Sequence, residues 1–92
     1  MNKSELINAV AEKAGITKKE AEVAVSSLLD VIIENVANGE EIRIVGFGTF
    51  ERRERKERVG SDPRTGEKIQ IAASKVPAFK PGKSFKEAVA QN

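Results

Sequence analysis

The chain contains no cysteine, histidine, tryptophan or tyrosine. Without cysteine there is neither a disulfide nor a thiolate metal site. Without histidine, the commonest general base and zinc ligand is missing, and no metal site is expected. Apolar runs never exceed three residues, as at 31–33, so no stretch reads as a transmembrane helix or a signal peptide. The expectation is a soluble, cytoplasmic protein with no membrane partner, no cofactor and no small-molecule substrate. The carboxylates make no case for an enzyme either. Glu40-Glu41 and the pair Glu5/Glu12 sit in a turn and on a helix surface, where solvated charge explains them. Gly46-Phe47-Gly48 lacks the longer glycine pattern and the Lys-Ser/Thr pair of a phosphate loop. It reads as a tight turn between strands that sends Phe47 into the core.

What is present is charge. Of 92 residues, 33% are charged and 39% hydrophobic, which gives one domain with a thin core. A chain this small needs a staple, and oligomerisation is the one left. The net charge of +2 hides an asymmetry. Residues 1–50 carry five basic and eight acidic side chains, residues 51–70 seven and five, and residues 71–92 four and one. An acidic first half joined to a basic second half points to a polyanionic partner on one side of the molecule.

The order of elements follows from periodicity. Asn2 and Glu5 form a capping box ahead of Leu6, Ile7, Val10, Ala11 and Ala14, and Gly15 ends that helix. Thr17 and Glu20 form a second box. The stripe Ala21, Ala24, Val25, Leu28, Leu29, Ile32, Ile33, Val36 follows, with a stop at Gly39. Two helices with so short a link make a helical hairpin. The broad stripe serves either as a monomer core or as an interface in which two chains share a core. Ile42, Ile44 and Val45 predict a strand, and Thr49-Phe50 begins another. Residues 51–58 are all charged, and their local propensity fits helix and strand about equally. Residues 60–66 form a dense turn signal around Pro63, and Ile69 and Ile71 alternate as in a strand. A hairpin with its tip near Pro63 accounts for both flanks. Twelve extended residues up to Asp62 reach roughly 40 Å, so the hairpin must project as an arm. Residues 76–82, with two prolines, read as leaving the sheet, and a short helix with Phe85, Ala88 and Val89 on one face ends the chain.

That hairpin gathers Arg52, Arg53, Arg55, Lys56, Arg58, Arg64 and Lys68, and the return segment adds Lys75, Lys80, Lys83 and Lys86. A run of charge is usually a solvated surface, and Glu51, Glu54 and Glu57 dilute this one. An Arg-bearing β-ribbon nonetheless has the size and charge to follow a nucleic-acid groove, with a proline at its tip as an apolar wedge. The alternatives are an arm that binds protein, or RNA binding, which the lack of stacking aromatics disfavours.

Several segments resemble the HU/IHF family of bacterial histone-like, DNA-bending proteins. They are Met1-Asn2-Lys3 opening into residues 9–13, Val45-Gly46-Phe47-Gly48-Thr49-Phe50, the tip Asp62-Pro63-Arg64-Thr65-Gly66, and Lys75-Val76-Pro77-Ala78-Phe79-Lys80-Pro81-Gly82-Lys83. The match is closer to HU homodimers than to IHF heterodimers. The resemblance implies an α+β fold in an intertwined dimer. Helical hairpins form the base, three-stranded antiparallel sheets form a saddle, and two β-ribbon arms embrace DNA through the minor groove. Within a single domain of residues 1–92, it implies a helical dimerisation part at 1–39 and sheet and arm at 40–82, with the arm at about 52–76. The C-terminal helix takes 83–92. It favours strand for residues 51–58. Carried over by position, Arg53, Arg55 and Arg58 line the arm. Pro63 intercalates with Arg64 beside it, and Lys3, Lys75, Lys80, Lys83 and Lys86 contact phosphates. The implied function is sequence-tolerant binding, bending and compaction of double-stranded DNA in the bacterial nucleoid, with bent, nicked or junction DNA favoured. One departure stands out. The family usually carries Arg-Asn before the tip proline, and this chain has Ser61-Asp62. One positive charge is lost and a carboxylate is set beside the wedge, so binding to linear duplex is expected to weaken; the alternative is that Asp62 turns away from the DNA into a turn hydrogen bond with the backbone near Arg64.

Overall fold

The computed structural model describes residues 1–91, which form three helices and five strands. They fall into two compact units, Met1–Glu34 and the residues from Asn35 onward. In the first, α1 (Lys3–Ala14) begins where Asn2 Oδ1 accepts the Glu5 N–H at 2.9 Å, and it ends at Gly15. α2 (Lys18–Ala37) opens with both halves of the expected capping box. The Glu20 N–H donates to Thr17 Oγ1 at 3.1 Å, and the Thr17 N–H donates to Glu20 Oε1 at 3.0 Å. Hydrogen bonding to the Thr17 backbone, then to its hydroxyl, holds the Glu20 carboxyl below its ordinary pKa. Ala11, Ala21 and Val25 are buried, while Leu28 and Ile33 on the apolar stripe are 56% and 66% exposed.

The second unit begins with the last turn of α2. The Gly39 N–H donates to the Val36 carbonyl and the Glu40 N–H to the Asn35 carbonyl, both at 2.9 Å. This closing pattern requires a left-handed residue, and Gly39 supplies it at φ 89°. β1 (Ile42–Ile44), β2 (Gly48–Arg55) and β5 (Ser74–Pro81) make an antiparallel sheet in the order β1-β2-β5. β3 (Arg58–Ser61) and β4 (Lys68–Ile71) make a two-stranded ribbon. α3 runs from Lys83 to Ala90, and the last residue of the helix expected at 83–92 lies outside the described residues. Among the described residues no helix is long and apolar enough to cross a membrane.

One expectation changes. Residues 76–82 do not leave the sheet, because Ser74–Pro81 is its third strand, paired with β2 along its whole length. Pro77 and Pro81 fit because β5 is an edge strand. Four residues apart, they share one orientation, and their missing donors fall on the side away from β2. Residues 51–58, ambiguous by propensity and strand by the resemblance, are indeed strand through Arg55 and again at Arg58, with Lys56-Glu57 between. The strands on either side of that gap keep one register. Arg55 pairs with Ser74 and Arg58 with Ile71, which leaves Lys56-Glu57 facing Ala72-Ala73. β2–β3 and β4–β5 are therefore two legs of one long hairpin without a bulge.

The root of the hairpin is packed by phenylalanine. Phe50 and Phe79, paired across β2 and β5, have ring centroids 4.8 Å apart. Phe47, from the turn after β1, lies 5.4 Å from Phe79 and 5.3 Å from Phe85 of α3. The Phe79 ring lies over Gly48, where an added Cβ would meet Phe79 Cε1 and Cζ and the Lys80 carbonyl, each at 2.6 Å. Gly48→Ala should therefore cost about 1–3 kcal/mol through overpacking, and more if the strand cannot shift. Urea unfolding of the two proteins checks this, and a loss within ~0.5 kcal/mol would show that the ring moves aside freely.

Candidate nucleic-acid interface

Side chains alternate between the faces of a strand, so the register sorts the basic residues. Thr49, Glu51, Arg53 and Arg55 share one face of β2, opposite Lys80, Ala78, Val76 and Ser74 of β5. Phe50, Arg52 and Glu54 share the other, opposite Phe79, Pro77 and Lys75. Continued through the gap, the register puts Arg58 on the side of Arg52 and Lys75. The structure thus puts Arg53, Arg55 and Lys80 on one face, with Arg53 and Lys80 joined through Glu51, and places Arg58 and Lys75 on the reverse face. The ribbon carries cations on both sides.

Glu51 organises the first group. Its Oε1 lies 3.2 Å from both Arg53 Nε and Nη2 and 3.4 Å from Lys80 Nζ. Its side chain is 21% exposed, against 54% and 63% for Arg53 and Lys80. Burial alone would raise the Glu51 carboxyl, but the hydrogen bonds and charges of Arg53 and Lys80 together outweigh it, and the net shift is downward. One carboxylate between two cations leaves one net positive charge here. By composition Glu51 only dilutes the basic run. The signal for its role is the spacing of two to Arg53, which on a strand puts both on one face.

Arg52 has a different task. Its Nη1 donates to the Ala37 carbonyl at 3.1 Å, satisfying an open acceptor at the end of α2, and its Nη2 lies 3.4 Å from Glu54 Oε1. Lys83 and Glu87 are 3.9 Å apart on α3. Lys86 borders an apolar groove with Phe79, Pro81, Phe85 and Val89. Lys3 belongs to the helical unit.

The tip is a closed loop. The Asp62 N–H donates to the Glu67 carbonyl and the Gly66 N–H to the Asp62 carbonyl, each at 2.7 Å. Gly66 sits at φ 73°, the left-handed position the loop needs to return into β4. The Arg64 N–H donates to Asp62 Oδ1 at 2.8 Å. Pro63 and Arg64 are exposed at the apex. Asp62 is half-buried, and of its two expected states, a repulsive charge facing the DNA or a turn hydrogen bond with the backbone near Arg64, its carboxylate makes the hydrogen bond. Lys68, left out of the expected site, pairs with Ser61 at the base of this loop and adds a charge beside it.

Residues 1–90 match the family described as bacterial DNA-binding protein. The chain is 59% identical over 90 residues to DNA-binding protein HU 1 of Bacillus subtilis, covering 98% of each chain. Among solved structures it is similar to an HU–DNA cocrystal structure from Anabaena, with a TM-score of 0.89, 53% identity and all of both chains covered. It is also similar to HU from Thermotoga maritima, with a TM-score of 0.68, 39% identity and coverage of 97% of this chain and 98% of that one.

The Glu51 cluster has a measurable pH signature. In a carbon-detected NMR titration, the Glu51 carboxyl should titrate below the ordinary glutamate value. Arg53→Gln should raise its midpoint, because a lowering partner is removed while burial stays. The charge pairing is complete at neutral pH and is lost as pH falls through the depressed Glu51 value. An unchanged midpoint in Arg53→Gln would mean that Lys80 alone holds the carboxylate.

Proposed function

The chain belongs to the bacterial DNA-binding protein family, and on that premise we propose how it works: as a homodimer whose β-ribbon arms enter the minor groove of double-stranded DNA and bend it. The observation that carries the reading is the long hairpin in one register, with cations on both faces and an exposed proline at its apex. A ribbon inside a groove has a phosphate wall on either side. Arg53, Arg55 and Lys80 serve one wall, and Arg58 and Lys75 the other. Lys83, Lys86 and Lys3 extend the path along the flanks. Such contacts go to the backbone, so they position the protein without reading sequence. Pro63 has no N–H and a fixed φ, so its ring can enter a base step as a rigid apolar wedge. Proteins of the HU and IHF type are themselves the standard example of this wedge, and the few kcal/mol needed to unstack a step is their class value. Bent, nicked or junction DNA has part of that cost already met and is favoured. The role is architectural, the compaction of chromosomal DNA in the nucleoid.

The dimer rests on apolar surface that one chain leaves uncovered. Leu28 and Ile33 on α2 are more than half exposed, and Phe47, Phe79 and Phe85 remain 42%, 37% and 37% exposed although they pack on one another. At about 25 cal/mol per Å², exposure on this scale is costly for so small a chain, and a second copy is the cover that fits. Folding and association are then linked. The thermal midpoint should rise with protein concentration, whereas a constant midpoint over a hundredfold dilution with a monomer mass by sedimentation would refute the dimer.

DNA binding is tested by gel-shift titration on linear, nicked and four-way-junction DNA at two salt concentrations. The logarithm of affinity should fall with the logarithm of salt by about 0.9 per phosphate neutralised. Arg55→Ala should weaken binding to all sequences alike and reduce that slope by about one. A changed sequence preference with an unchanged slope would make Arg55 a reader of bases.

A further inference from the structure

Asp62 closes the tip with three hydrogen bonds, through its N–H, its carbonyl and one carboxylate oxygen. Its N–H and its carbonyl each bond across the loop at 2.7 Å, and its Oδ1 accepts the Arg64 N–H at 2.8 Å. These bonds bracket Pro63, which itself has no N–H to anchor it. The proline ring fixes its own φ and confines the preceding residue to extended conformations. It does not fix the direction in which it leaves the ladder. That direction is set by the Asp62 backbone torsions, chiefly ψ, and the Oδ1 bond to the amide just beyond the ring ties the backbone on either side of the proline together and holds ψ at one value. We propose that Asp62 is a positioning residue, whose side-chain oxygen holds the Pro63 ring in the orientation that enters a base step.

The inference rests on the wedge reading above and adds what aims the wedge. It also divides the consequences of Asp62 into two parts. The acceptor oxygen orients the ring, and the negative charge repels phosphate. An asparagine at this position keeps the oxygen and drops the charge, whereas an alanine removes both.

The test uses the full-length dimer with Asp62→Asn, Asp62→Ala and Pro63→Ala. Bending is read by energy transfer between dyes on the ends of a linear duplex at saturating protein, so that affinity does not enter. Exchange of the Arg64 amide in the free protein reports on the bond itself. Asp62→Ala should exchange that amide faster and lose most of the bend that Pro63→Ala loses, with an unchanged unfolding midpoint. Asp62→Asn should keep both the slow exchange and the parent bend while binding linear duplex more tightly. If Asp62→Ala bends DNA like the parent while Pro63→Ala does not, the positioning role is wrong and the wedge stands. Failure of Asp62→Asn to retain the bend would overturn it too, by assigning the effect to charge. A parent-like bend in Pro63→Ala would remove the wedge and this proposal with it.

Discussion

Four aromatic rings at the root of the hairpin hold the second unit together. Phe50 and Phe79 join β2 to β5, Phe47 ties in the turn after β1, and Phe85 brings α3 onto the same cluster. The arrangement depends on the bare Cα of Gly48, which gives the Phe79 ring its place over the strand. Further out, Val59, Ile69 and Ile71 of the ribbon are 68%, 48% and 39% exposed, and the cross-strand ladder carries most of the arm. A long charged ribbon stays attached because its root is fixed by rings that are both bulky and short of rotatable bonds.

Charge along the arm is divided by strand parity into structural and functional sets. Arg52 lies on the side of the aromatic cluster and is occupied by the Ala37 carbonyl at the end of α2. Arg53, one residue further, lies on the opposite side and is held by Glu51. The two neighbours have the same chemistry and different work. Glu51 keeps Arg53 and Lys80 in place before any phosphate arrives, and phosphates must then compete with it. The low net charge of the chain is thus built into the arm as well as spread over the helices.

Much of this was legible in the sequence because it is local. The Thr17–Glu20 box, the stops at Gly15 and Gly39, and the tip around Pro63 each depend on residues within a few positions of one another. The family was legible from the Gly-Phe-Gly and Val-Pro-Ala-Phe segments. Three things were not settled by local propensity and charge. Residues 51–58 satisfy helix and strand propensity alike, and only pairing with a segment some twenty residues away decides between them. Residues 76–82 looked unfit for a sheet because proline is poor inside one, and an edge position, which lifts that objection, is a property of the whole topology. The engagement of Asp62 was legible only as an alternative to a free charge, because the charge is visible in the sequence and the geometry of its oxygen is not.

The register that continues past Lys56-Glu57 and Ala72-Ala73 also governs how such an arm can vary in length. A single inserted residue in one leg would rotate every side chain beyond it to the opposite face and leave the legs mismatched. One residue added to each leg restores the pairing and still turns the tip over. Only two residues in each leg preserve both the pairing and the faces. The arm is a ruler graduated in four-residue steps, and homologous arms that keep the same faces should lengthen or shorten by that increment.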